Sequence, residues 1–118
     1  MKKGSIIMSF VYAVWGICYA IQHERNVQIH FWVTIIVTVC GLYLRITRIE
    51  WLIVLLTIGV VISLEMINTA IEKAVDVATE DIHPLAKIAK DVAAGAVLVF
   101  SIIAVIIGGV IFAPYLIQ

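Results

Sequence analysis

The sequence predicts an all-α integral membrane protein, with three membrane-spanning helices preceded by an amphipathic helix lying at the surface. Three observations predict it. Apolar residues make up 64% of the 118 residues and the mean hydropathy is +1.14, too apolar for an ordinary soluble domain. Three long stretches run almost free of charge. The polar residues collect in short clusters between those stretches, where a chain leaving a bilayer would need them. The length suits a single domain over residues 1–118.

Residues 5–23 place Ile7, Val11, Val14, Cys18 and Ile21 at helical spacing, with Ser9, Ala13, Gly16 and Ala20 on another side. That pattern fits a helix lying in the interface. Its small face either packs closely against another helix or receives a flat ligand at Gly16. Lys2 and Lys3 ahead of an apolar stretch imitate a signal peptide, but aromatics and glutamine stand where small cleavage residues belong, so no cleavage is expected.

A polar cluster, Gln22 to His30, comes next. Glu24 and Gln28 are spaced to share a helical face, Arg25 is placed to anchor at phosphates, and His30 reads equally as packed or interfacial. The first span covers 27–44, about 27 Å of helix. Arg45 to Glu50 make a polar turn. The second span covers 51–76, since no Gly or Pro interrupts Ala70 to Val75. Glu80, Asp81, His83 and Pro84 mark a loop, with Pro84 stopping any helix that reaches it. A short amphipathic start, Leu85 to Asp91, leads into the third span over 92–117. Cys18 and Cys40 lie in different segments without metal or redox spacing and read as small apolar residues.

Basic residues set the expected orientation. Lys2, Lys3, Arg25, Lys73, Lys87 and Lys90 fall on one side of the membrane, against Arg45 and Arg48 on the other. By the positive-inside rule the N-terminus faces the cytoplasm, and so do all the acidic clusters. A balance of eight acids and eight bases gives no electrostatic footprint for nucleic acid.

The second span ends in the chain's most informative stretch. At about 100° per residue, Glu65, Asn68, Thr69, Glu72 and Asp76 fall on one stripe of a helix. A helix entering the bilayer at Trp51 has climbed roughly 21 Å at Leu64, so Glu65 lies just inside a core about 30 Å thick. A carboxylate there costs on the order of 2.5 to 3.5 kcal/mol and needs a partner, a metal or a proton. Glu24 and Glu72, on different helices, could share Mg²⁺ with phosphate oxygens. Lys90 could neutralise phosphate charge, and Glu65 could take a proton from a lipid hydroxyl. The residues leave open an ion or proton pathway, or acids that merely hold helices together. No P-loop or Gly-rich kinase loop is present, so nucleotide chemistry would require residues borrowed from a neighbouring subunit.

The motifs ExxNxAIExxxD at Glu65 to Asp76, AKD at Ala89 to Asp91 and ERNxxxH at Glu24 to His30 resemble the prokaryotic diacylglycerol kinase family, which includes undecaprenol kinases of Gram-positive bacteria. The resemblance spans nearly the whole chain. It implies a homotrimer with active sites shared between subunits, phosphorylating a membrane lipid alcohol with ATP and Mg²⁺ at the cytoplasmic face of the bacterial inner membrane. Glu65 would be the general base and Glu24 and Glu72 the metal ligands. Asn68, Asp76, Lys90, Asp91 and His83 would line the nucleotide site, with Tyr12 and Gly16 near the adenine. Family likeness favours undecaprenol as acceptor, with diacylglycerol as the alternative. Gln28 stands where relatives commonly carry arginine, so no role is transferred to it, and Thr79 and Lys87 replace residues that are glycine in some relatives.

Overall fold

The computed structural model describes residues 5–118; Lys2 and Lys3, with their part in the orientation and signal-peptide readings, lie outside them. Four helices follow one another: α1 (Ile6–His23), α2 (Arg25–Leu44), α3 (Arg48–Ala78) and α4 (Pro84–Leu116). All four are long and apolar enough to cross a membrane. Among the described residues there is no strand.

Each helix starts and stops for a local reason. The Ser5 hydroxyl accepts from the Met8 amide and caps α1. Glu24, in an extended conformation, is the single joint between α1 and α2. Gln28, for which no role was expected, reaches back across that joint, and its amide donates to the carbonyls of Ile21 and Gln22 at 3.0 and 3.1 Å. It thereby satisfies the acceptors that the end of α1 leaves open. At the far end of α2, Arg45 adopts the left-handed conformation, with φ 56 and ψ 53, and the chain turns in a few residues. Thr47 and Glu50 form a reciprocal capping box that opens α3 at Arg48 rather than at Trp51.

The joint between α3 and α4 leaves Glu80, Asp81 and His83 outside both helices, as the sequence predicts, and moves only Pro84 from the loop into α4. Pro84 does not stop a helix but begins one, at a position where its missing amide hydrogen costs nothing, with His83 as the cap: its Nδ1 accepts from the Leu85 amide. The amphipathic segment Leu85 to Asp91 and the third span are one continuous helix, because neither Gly nor Pro separates them before Gly95.

From α2 to α4 successive helices run antiparallel. At one end Tyr115 of α4 donates to Glu50 of α3, and the Trp51 indole of α3 rests on Gly41 of α2. At the other end Lys90 of α4 meets Asp76 of α3, and Asn26 of α2 meets Glu65. Ile46, Val54 and Ile111 form a small buried core near the first end, and α3 and α4 make the most extensive helix pairing. Most large apolar side chains face outward, from Phe10 and Trp15 on α1 to Leu56 on α3 and Val105 on α4. An uncovered apolar surface on this scale belongs against lipid or another subunit rather than water. At about 1.5 Å per residue α3 is roughly 46 Å long, more than the ~30 Å hydrocarbon core, so part of it projects beyond.

Candidate active site

Glu65 lies on the face of α3 that α2 and α4 cover, and it is only 3% exposed. With Asn68 and Thr69 it makes up the buried polar set among the described residues. A buried carboxylate needs polar partners to offset its lost hydration. Asn26 supplies one contact, its Nδ2 donating to Oε1 at 3.2 Å, and His30 the other, its Nε2 standing 3.4 Å from Oε2. The sequence reading assigned neither residue to Glu65. Their spacing on α2, four apart, was the signal that they share a face; that this face meets Glu65 is a tertiary fact.

One turn along α3, Asn68 donates from Nδ2 to Glu72 Oε1 at 3.3 Å, while its Oδ1 is buried without a hydrogen-bond partner. A buried carbonyl oxygen left unmatched is costly, and it marks a place where a ligand, donor or ion completes the structure. Glu24 reaches α3 at Lys73, whose Nζ lies 3.8 Å from its Oε1. The same ammonium lies over the Tyr19 ring, 5.8 Å from its centroid, and Tyr19 stacks on His23. Glu24 thus meets α3 at the residue next to Glu72 in sequence.

The stripe continues to Asp76, whose Oδ1 is 2.5 Å from Lys90 Nζ. Both line a polar hollow of about 590 Å³ with Thr79, Glu80, His83 and Lys87. The loop under this hollow is held by Thr79, whose Oγ1 accepts from the Asp81 amide. Asp91 pairs with Lys87 at 2.5 Å rather than with Lys90. The Asp91 carboxylate, through its hydrogen bond first and its charge second, raises the Lys87 pKa above the ordinary lysine value.

Tyr12 and Gly16 stand apart from these groups. They share a shallow hollow made entirely from α1, with Val11, Trp15 and Tyr19, and a Cβ at Gly16 would meet nothing within 4 Å. The small face of α1 is therefore open at Gly16 but packed at Ala20, which is buried.

Beside Glu65, on the side away from the polar hollow, a cleft of about 360 Å³ runs between α2, α3 and α4. His30 and Thr34 stand at its polar end, and Val37, Val54, Ile58 and Phe112 line its length. Thr34 and Thr57 turn their hydroxyls onto carbonyls of their own helices, which leaves the cleft walls effectively apolar. Glu65 thus touches the apolar cleft through His30, and the charged hollow at Asp76 lies about three turns further along the same helix.

Residues 11–112 match the prokaryotic diacylglycerol kinase family. The chain is 51% identical over 108 residues to an undecaprenol kinase of Bacillus subtilis, covering 92% of this chain and 88% of the relative. It is 41% identical over 115 residues to a diacylglycerol kinase of Synechocystis, covering 97% of this chain and 66% of that relative. A diacylglycerol kinase of Helicobacter pylori is 44% identical over 57 residues, 48% of this chain and 44% of the relative. With a match over nearly the whole chain and Glu65, Glu72 and Asp76 in line towards one end of an apolar helical bundle, this lipid kinase belongs to the prokaryotic diacylglycerol kinase family.

Proposed function

We propose that the chain transfers the γ-phosphoryl group of ATP to the hydroxyl of undecaprenol, giving undecaprenyl phosphate, at the cytoplasmic face of the bacterial inner membrane. The observation that carries this reading is the position of Glu65, a buried carboxylate whose partner His30 lines an apolar cleft and whose stripe on α3 runs on to Asp76 in a charged hollow. A lipid alcohol and a nucleotide differ so much in polarity that a site for both needs such a junction. The cleft is the seat proposed for the first isoprene units, which would bring the hydroxyl up to Glu65. The identity of 51% to an undecaprenol kinase favours undecaprenol over diacylglycerol.

In this reading Glu65 accepts the hydroxyl proton as the oxygen attacks phosphorus, and positioning supplies most of the remaining acceleration. Lys90 faces the transferred phosphates, and Asp76 holds Lys90 in place until they arrive. Asp91 keeps Lys87 from competing for them, His83 fixes the start of α4 beneath the nucleotide, and Asn68 lines the site. Tyr12 and Gly16 offer a flat, open surface for adenine on α1.

The residues fit a magnesium ion. Among the described residues no group of three or more His, Cys, Asp or Glu could hold a metal alone. Mg²⁺ commonly takes one or two carboxylates and completes its shell with phosphate and water. Glu24 and Glu72 would hold it, in a neighbourhood of oxygen donors that includes the unpartnered Oδ1 of Asn68. When bound it neutralises charge on the ATP phosphates. Lys73, now beside Glu24, is a cation already compensating that carboxylate.

Three spanning helices, α2 to α4, with α1 lying at the surface, and three copies of the chain complete the proposal. The uncovered α1 face and the outward apolar surfaces support it, since a nucleotide is too large to be enclosed by one chain of this size. The test offers undecaprenol and diacylglycerol separately, in mixed micelles with γ-labelled ATP and Mg²⁺. Label preferentially in undecaprenol is expected. Label preferentially in diacylglycerol would overturn the choice of acceptor while leaving the lipid kinase intact.

A further inference from the structure

The reading of Glu65 as base leaves open what makes a buried carboxylate point one way. A glutamate has three rotatable bonds, and a misplaced base loses rate steeply: an error of about 1 Å can cost on the order of 100-fold. Two side chains from the facing helix meet this need. Asn26 and His30 lie four apart on α2, and each touches a different oxygen of Glu65, at 3.2 Å and 3.4 Å. A carboxylate only accepts, so the amide must turn its Nδ2 to Oε1, and the imidazole nitrogen facing Oε2 must be the protonated one. The two contacts together fix the plane and the rotation of the carboxylate.

Other polar side chains of α2 do not do this. Thr34 and Thr38 donate to carbonyls of their own helix, at His30 and Thr34. Among the described residues, only Asn26 and His30 make polar contacts to Glu65 from another helix. Nor do they exhaust its capacity, because a carboxylate offers about four lone-pair sites and these contacts use two. His30 also lines the polar end of the apolar cleft, so the oxygen it holds is the one beside that cleft.

We infer that Asn26 and His30 are the positioning residues of this kinase, each fixing one oxygen of Glu65 so that the remaining lone pairs face the acceptor hydroxyl. The inference rests on Glu65 being the base. Asn26 acts through a hydrogen bond and His30 through the approach of its Nε2 to the second oxygen, and neither is assigned a contact to ATP. His30 holds Glu65 by an N–H, a function that the amide of glutamine, which places its nitrogen at a similar reach, can replace.

The test uses the full chain in mixed micelles with MgATP and undecaprenol, comparing Asn26→Leu, His30→Ala, His30→Gln and Glu65→Gln. Asn26→Leu keeps the volume while removing the donor. The leucine and alanine variants should lose kcat by about 10- to 100-fold while KM for MgATP stays within about twofold. His30→Gln should recover most of the loss. Unchanged kcat in Asn26→Leu and His30→Ala would overturn the inference. A His30→Gln variant as slow as His30→Ala would overturn it too, since the imidazole would then be supplying more than a hydrogen bond. Loss of MgATP affinity and of the assembled oligomer in step with kcat would reduce both residues to helix packing. Full turnover in Glu65→Gln would instead remove the base, a separate failure recognisable by itself.

Discussion

Lys90 separates stability from catalysis more sharply than any other residue of the site. Its ammonium lies 2.5 Å from Asp76, but the two side chains are 38% and 61% exposed, so solvent screens the pair. Exposed ion pairs contribute about 0 to 1 kcal/mol, and replacing Lys90 by methionine, which keeps the stem and removes the charge, should cost no more than that in stability. A contact to a charged phosphate is a different matter. Hydrogen bonds to charged groups are worth about 1.5 to 3 kcal/mol, which converts to a loss of roughly 10- to 150-fold in kcat/KM for MgATP. The assay pairs steady-state kinetics over a range of MgATP with thermal unfolding of the same preparation. A variant that unfolds normally yet has lost one to two orders of magnitude in kcat/KM is the expected result. Turnover within about threefold of the parent, or a loss of stability large enough to account for the lost activity, would refute the placement of Lys90 on the phosphates.

Glu72→Ala should weaken MgATP binding measured by calorimetry, and Glu24→Ala should do the same; unchanged affinity in both would remove the metal assignment. Gly41→Ala should destabilise the fold, because the added Cβ would stand 2.7 Å from the Trp51 ring, and overpacking of about 1 to 3 kcal/mol outweighs the roughly 1 kcal/mol of helix propensity gained. An unfolding midpoint equal to or above the parent's would contradict that ranking. The Lys87 to Asp91 pair raises the lysine pKa in the folded chain, so its contribution is complete below the ordinary value of 10.5 and fades as pH rises through the raised one. The difference in unfolding midpoint between the parent and Lys87→Met should therefore be flat from pH 6 to 9; a steep slope in that window would show another group at work.

The acid stripe was legible because it needs only the helical period: Glu65, Asn68, Glu72 and Asp76 fall into line on any helix through Trp51. The family motifs added the lipid kinase. What was not legible depended on which side chains meet across helices. Asn26 entered only as a letter of the ERNxxxH motif with no role attached, and His30 was undecided, until the antiparallel run of α2 against α3 brought both to Glu65. Gln28 looked like a lost cation, and its real contacts are two carbonyls across a one-residue joint, a geometry no periodicity encodes. Pro84 was read as a stop because proline breaks helices from within, but it is equally suited to their first turn. His83 became a cap by the same local rearrangement. The open face of α1 at Tyr12 and Gly16 is a property of one chain alone, and its occupant depends on how copies assemble.

The central claim is that Glu65 takes the proton from the lipid hydroxyl. Replacing it by glutamine preserves size and hydrogen-bonding reach while removing the base, so turnover and MgATP binding should part company. The decisive measurement is phosphoryl transfer to undecaprenol by Glu65→Gln, set beside MgATP affinity in the same micelles. Transfer lost by several orders of magnitude with affinity nearly intact is the predicted result. Transfer at the parent's rate would contradict the account.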